Sequence, residues 1–142
     1  MGSITLRVMI VTLMVMGVYT LFANSIPQIE SHPPQELSLS GVELSGEELA
    51  GLGEKIFYEK GTCAVCHSIG SEGVRAPDLA GMGERAGERR EGVSDVAYLF
   101  ESLIDPSAYV VEGYGNIMPA VNRPPVSLNE SELMAVVAFL QS

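Results

Sequence analysis

The sequence predicts an all-α chain: an apolar helix near the amino terminus, a proline-containing linker, and a small body of three main helices. Three observations predict it. Residues 4–23 are apolar apart from Arg7 and a few threonines, and no charge occurs from Val8 to Ile29. Three later stretches each open on a Ser or Asn suited to capping a helix and continue with a one-sided apolar stripe. No run alternates apolar and polar residues in the way a half-buried strand requires.

The first segment is long enough to cross a bilayer, since roughly 20 apolar residues span a hydrocarbon core of about 30 Å. Arg7 and the amino terminus keep that end in the cytoplasm, so the rest of the chain faces outward, on the periplasmic or extracytoplasmic side of the cytoplasmic membrane. A cleaved signal peptide competes, with Ala23-Asn24-Ser25 as the small-residue cleavage site. Signal cores usually run about 7–15 residues, which favours a retained anchor over residues 1–23. Both readings export the body. Residues 24–44 hold Pro27, Pro33 and Pro34 among Ser, Gln and Glu and form an extended linker. At about 3.1 Å per residue it reaches on the order of 60 Å. His32 lies in it as a solvated side chain.

The body covers residues 45–142. Ser45 and Glu48 have the spacing of a capping box, which starts a helix running to about Lys60 with Leu49, Leu52, Ile56 and Phe57 on its apolar face. Gly61-Thr62 ends it. Ser94 caps a helix through Ile104, with Val96, Leu99, Phe100 and Leu103 as its stripe, and Asp105-Pro106 stops it. Asn129 and Glu132 cap the last helix, whose face is Leu133, Val136, Val137 and Leu140. Three helices in about 100 residues bury little core by themselves.

The chemistry sits between the first two of these helices, in Cys63-Ala64-Val65-Cys66-His67. Cysteines three apart followed at once by histidine are the pattern for covalent haem attachment. The spacing lets two thiols reach one edge of a porphyrin while the imidazole turns beneath it to the iron. A structural zinc site needs about four protein ligands, and no second Cys or His pair is present. A thioredoxin-like pair belongs in a βαβ setting, which is absent from the pattern. One covalently bound haem c is therefore expected, with the haem itself as the missing hydrophobic centre.

The second axial ligand is sought among the methionines. Met9, Met14 and Met16 lie in the apolar segment. Met82 follows His67 by 15 residues, on the proximal side or in a surface loop, and Met134 falls in the last helix, where methionine is more often core filler. Met118 stands in Gly113-Tyr114-Gly115-Asn116-Ile117-Met118-Pro119, a glycine-interrupted loop stiffened by proline. Such a loop can present a thioether at a fixed place, so His67 and Met118 are the expected metal ligands. The stretch Glu84–Glu91 mixes Arg85, Arg89 and Arg90 with Glu84, Glu88 and Glu91; a solvated face is the simple reading, a propionate contact or docking patch the sharper one.

From about Ser45 to Ser142 the chain resembles the class I cytochromes c, single-haem proteins, here of a membrane-anchored bacterial type. Gly53 and Phe57 resemble the first-helix pair that packs on an aromatic of the last helix, here Phe139. Pro77-Asp78-Leu79 resembles the loop whose proline carbonyl accepts a hydrogen bond from the proximal histidine. Val110 to Pro119 is similar to bacterial cytochromes and to c domains fused to some oxidase subunits, but without the further Cys/His set of a copper centre. The resemblance implies a fold of three main helices around one covalent haem, with Cys63, Cys66, His67, Pro77 and Met118 at the cofactor.

Eighteen Asp and Glu against eight Lys and Arg give a net charge of −10. Residues 41–142 hold 16 acidic against 7 basic side chains, which leaves that stretch at −9. That excludes nucleic acid as a partner and favours redox proteins with a basic docking patch. The expected function is a membrane-tethered one-electron carrier between a respiratory or photosynthetic donor complex and a terminal acceptor, with no catalytic residue and no small-molecule substrate. An integral haem subunit of a larger membrane complex is the close alternative. A haem peroxidase or gas sensor is the remoter one, since no distal acid or base is found.

Overall fold

The computed structural model describes residues 2–27, 44–71, 73 and 75–142. Most of the expected linker, with His32, lies outside them. The chain divides into two units, Met1–Pro33 and Pro34–Ser142. The first contains α1, Gly2–Ser25, with every described side chain exposed and no polar stripe. Its threonines do not interrupt it, because the Thr12 and Thr20 hydroxyls each donate to the carbonyl four residues back, Val8 and Met16, at 2.9 Å. Polar groups satisfied within the helix are what an apolar solvent demands. By length and composition α1 can cross a membrane.

The regular structure of the second unit is all helical, with no strand among the described residues. Helix α2, Gly46–Tyr58, starts on the predicted capping box: the Glu48 amide donates to Ser45 Oγ at 3.3 Å, and the Ser45 amide to Glu48 Oε2 at 2.9 Å. Helix α4, Asp95–Ile104, is capped by Ser94, and α5, Glu130–Gln141, by the Asn129–Glu132 pair. A short α3, Met82–Arg85, continues into a 3-10 turn at Ala86–Glu88. Neither is long enough to leave a periodic pattern in the sequence.

Helices α2 and α5 form the main packing pair. A Cβ built on Gly53 would fall 1.9 Å from the Ala135 carbonyl oxygen, so only glycine permits this approach. Next to it the Phe57 and Phe139 rings meet at 5.4 Å. A buried ion pair closes the same interface: Lys60 Nζ lies 2.7 and 2.8 Å from the two carboxylate oxygens of Glu132, which is wholly inaccessible. Glu132 thus serves as helix cap and as counter-ion, and the charges offset each other where either alone would be costly.

Two side chains depart from expectation. Val96 is 37% exposed, and Tyr98 takes its place at 5%, because α4 faces both the core and a cavity beside it. Met134 is 41% exposed and fills no core. Met82, expected on the proximal side or in a surface loop, is 4% exposed and belongs to the core cluster.

Candidate haem site

After α2 the chain turns sharply. Thr62 sits at φ +53°, a left-handed conformation uncommon for a β-branched residue, and delivers Cys63 into a 3-10 turn, Cys63–Val65. The Cys66 and His67 amides both donate to the Cys63 carbonyl, at 3.1 and 2.9 Å. One carbonyl therefore gathers the two thiols and the imidazole. Cys66 is exposed and Cys63 partly buried, and burial pushes the Cys63 thiol up to about 11, so it stays protonated at neutral pH.

His67 Nδ1 lies 3.0 Å from the Pro77 carbonyl oxygen. A carbonyl can only accept, so the proton is on Nδ1 and the Nε2 lone pair is left free for a metal. The loop bearing that carbonyl is laced back to the attachment turn. The Leu79 amide donates to Ser68 O at 2.9 Å, and the Gly70 and Ala80 amides donate to Asp78 Oδ1 at 2.8 and 3.2 Å. Arg85 Nη2 donates to the carbonyls of Asp78, at 3.2 Å, and of Ala80. The Ala80 amide foremost, with the Gly70 amide and the Arg85 guanidinium, holds the Asp78 carboxyl below its ordinary value.

Met118 arrives on a separate loop. Gly113 turns the chain at φ +88°, and the Tyr114 amide donates to Val111 O at 3.1 Å. Beyond Pro119 the Val121 amide donates to Leu103 O at 2.9 Å, which fastens the loop to the end of α4. Met118 is half-buried and packs against the core.

These pieces meet. Cys63, Cys66, His67, Pro77 and Met118 all line one cavity, whose apolar wall includes Phe57, Leu99, Leu103, Val136 and Leu140. Met82 lines it too, which its flanking glycines did not indicate. Its amide donates to Leu79 O at 3.2 Å, so it belongs to the segment that carries Pro77. The arginines of residues 84–91 part company: Arg85 is held by backbone carbonyls, Arg90 pairs with Glu101, and Arg89 lines the cavity beside Tyr98. No three His, Cys, Asp or Glu side chains converge as a metal cluster among the described residues.

An apolar cavity in the centre of a small helical body, edged by two thiols, an imidazole with free Nε2 and a thioether, has the donor set of a covalent haem. The family model described as Cytochrome c matches residues 50–142, well over half of the chain. The chain belongs to the cytochrome c family. No curated protein gives a match. Membership makes this cytochrome c a haem-based electron carrier with covalently bound haem c, and Cys63 and Cys66 fit the attachment motif. The cavity fits such a group: much of its wall is apolar, and the Cys63–His67 turn and the Met118 loop bring two thiols, an imidazole and a thioether to it.

Proposed function

We propose that this cytochrome c is a membrane-tethered one-electron carrier, held by α1 with its amino terminus inside and its haem body on the periplasmic or extracytoplasmic face. Haem c supplies a one-electron Fe(III)/Fe(II) couple when bound. Cys63 and Cys66 would hold the haem covalently, His67 Nε2 and the Met118 thioether would bind its iron, and the Pro77 carbonyl, 3.0 Å from Nδ1, orients the imidazole for this. The carrying observation is that all five residues, from three separate stretches of chain, line a single cavity. With both His67 and Met118 as ligands the iron would have no place for a substrate, which supports electron carriage over an enzyme.

The donor fits a respiratory or photosynthetic complex and the acceptor a terminal oxidase or reductase at the same membrane, where tethering replaces diffusion by a high local concentration. The charge of −9 over residues 41–142 supports partners with a basic docking patch, attracted at long range. Close contact is of another kind. Residues 61–71 and 113–122, two stretches that contribute to the cavity lining, carry no Asp, Glu, Lys or Arg, and they expose Val65 at 71% and Ile117 at 66%. Such a collar suits brief apolar contact followed by release.

Met118→Ala is expected to abolish the iron–thioether absorption band of the ferric protein and to lower its potential by a sizeable part of the roughly 0.8 V that axial ligation spans. Met82→Ala leaves the band in place; loss of the band in that variant instead would reverse the assignment. For the anchor, the native protein is expected to stay with membranes through a carbonate wash. A mature amino terminus near Ile26 would show cleavage in its place.

A further inference from the structure

We propose that Asp78 and Arg85 are positioning residues for the proximal imidazole: by fixing the peptide that carries the Pro77 carbonyl, they set the strength of His67 as an iron ligand. The inference rests on the reading of His67 as that ligand. The Pro77 carbonyl is bonded directly to the Asp78 nitrogen, so whatever fixes residue 78 fixes the direction in which the carbonyl points. Residue 78 is fixed twice over. Its carboxylate accepts from the Gly70 amide, three residues past His67, and from the Ala80 amide, two residues past itself. Its carbonyl accepts from Arg85, which also holds the Ala80 carbonyl. The Leu79–Ser68 hydrogen bond runs parallel to these.

The geometry has a chemical consequence. A carbonyl held 3.0 Å from Nδ1 draws on the N–H proton and makes Nε2 a better donor, which favours ferric over ferrous iron. Releasing the carbonyl weakens the donor and shifts the equilibrium toward ferrous. Outer-shell partners of metal-bound histidines contribute about 10- to 100-fold in affinity, so a shift of roughly tenfold toward the reduced form is expected. For one electron that is about 59 mV.

Charge alone would also move the potential, and the two residues separate the explanations. Removing the Asp78 carboxylate raises the potential by either route, but Asp78→Asn keeps an oxygen that can accept from both amides while losing the charge. Removing the Arg85 cation lowers the potential through charge and raises it through release of the carbonyl. The experiment is therefore the midpoint potential of the full-length holoprotein and of its Asp78→Ala, Asp78→Asn and Arg85→Gln variants. Proton NMR of the ferric forms accompanies it, to observe the His67 ring. Expected are upward shifts with altered ring resonances for Asp78→Ala and Arg85→Gln, and values near the parent for Asp78→Asn. Asp78→Asn shifting as far as Asp78→Ala, or Arg85→Gln shifting downward or not at all, would overturn the proposal. If Asp78→Ala does not fold, the sign for Arg85→Gln decides alone. A parent spectrum without hyperfine-shifted His67 protons would instead refute the ligand assignment itself.

Discussion

Replacing Cys63 and Cys66 together by alanine is expected to leave a chain that carries no haem through a denaturing gel and does not assemble its body. The first part follows from the chemistry of attachment, and a stain that persisted would refute these two thiols as the attachment site. The second follows from packing. The cavity takes up about 260 Å³ between α2, α4 and α5. At about 24 cal/mol per Å3 of residual cavity, leaving it unfilled costs roughly 6 kcal/mol. Domains of this size have in total only about 5–15 kcal/mol of stability. Far-ultraviolet circular dichroism should show most of the helix of the body lost, with α1 unaffected. A variant as helical and as cooperative in unfolding as the parent would mean that the three helices suffice without their centre.

Gly51→Ala and Gly53→Ala are expected to change stability in opposite directions, although two residues apart on one helix. At Gly51 an added methyl meets nothing within 4 Å, and the site is exposed. Alanine there gains about 0.8–1 kcal/mol of helix propensity. At Gly53 the methyl would lie 1.9 Å from the Ala135 oxygen, 2.5 Å from its carbonyl carbon and 2.8 Å from Phe139 Cβ. Two of these three are backbone atoms, so no rotamer change relieves them and α2 must move off α5. The cost should reach or exceed about 3 kcal/mol, the upper end for overpacking. Denaturant unfolding of the two holoproteins measures both. Equal effects would mean that α2 and α5 do not meet at Gly53.

The helices were legible where their ends are written in side chains. Ser45 with Glu48, Ser94, and Asn129 with Glu132 each cap the helix they announce. The cavity residues were legible too, because Cys63, Cys66 and His67 form a contiguous motif and Met118 stands in a loop shaped by glycine and proline. What stayed hidden depends on distance in the chain. Lys60 and Glu132 are 72 residues apart and have no shared pattern, so Glu132 read only as a cap. Val96 fitted the stripe of α4 by spacing, yet periodicity could not show that a second apolar centre turns Tyr98 inward instead. The three arginines of residues 84–91 were indistinguishable as letters. Only their partners separate Arg85, Arg89 and Arg90.

The lacing of the loop around Asp78 also has a bearing on the order of events as the chain is made. Both thiols, the imidazole, the Pro77 carbonyl and the side chains that steady it lie between Cys63 and Arg85. Synthesis proceeds from the amino terminus, so this whole half of the site is made before Met118 and before α5. A prosthetic group would meet both thiols, the imidazole and the carbonyl beside it before the Met118 loop and the final helix are made.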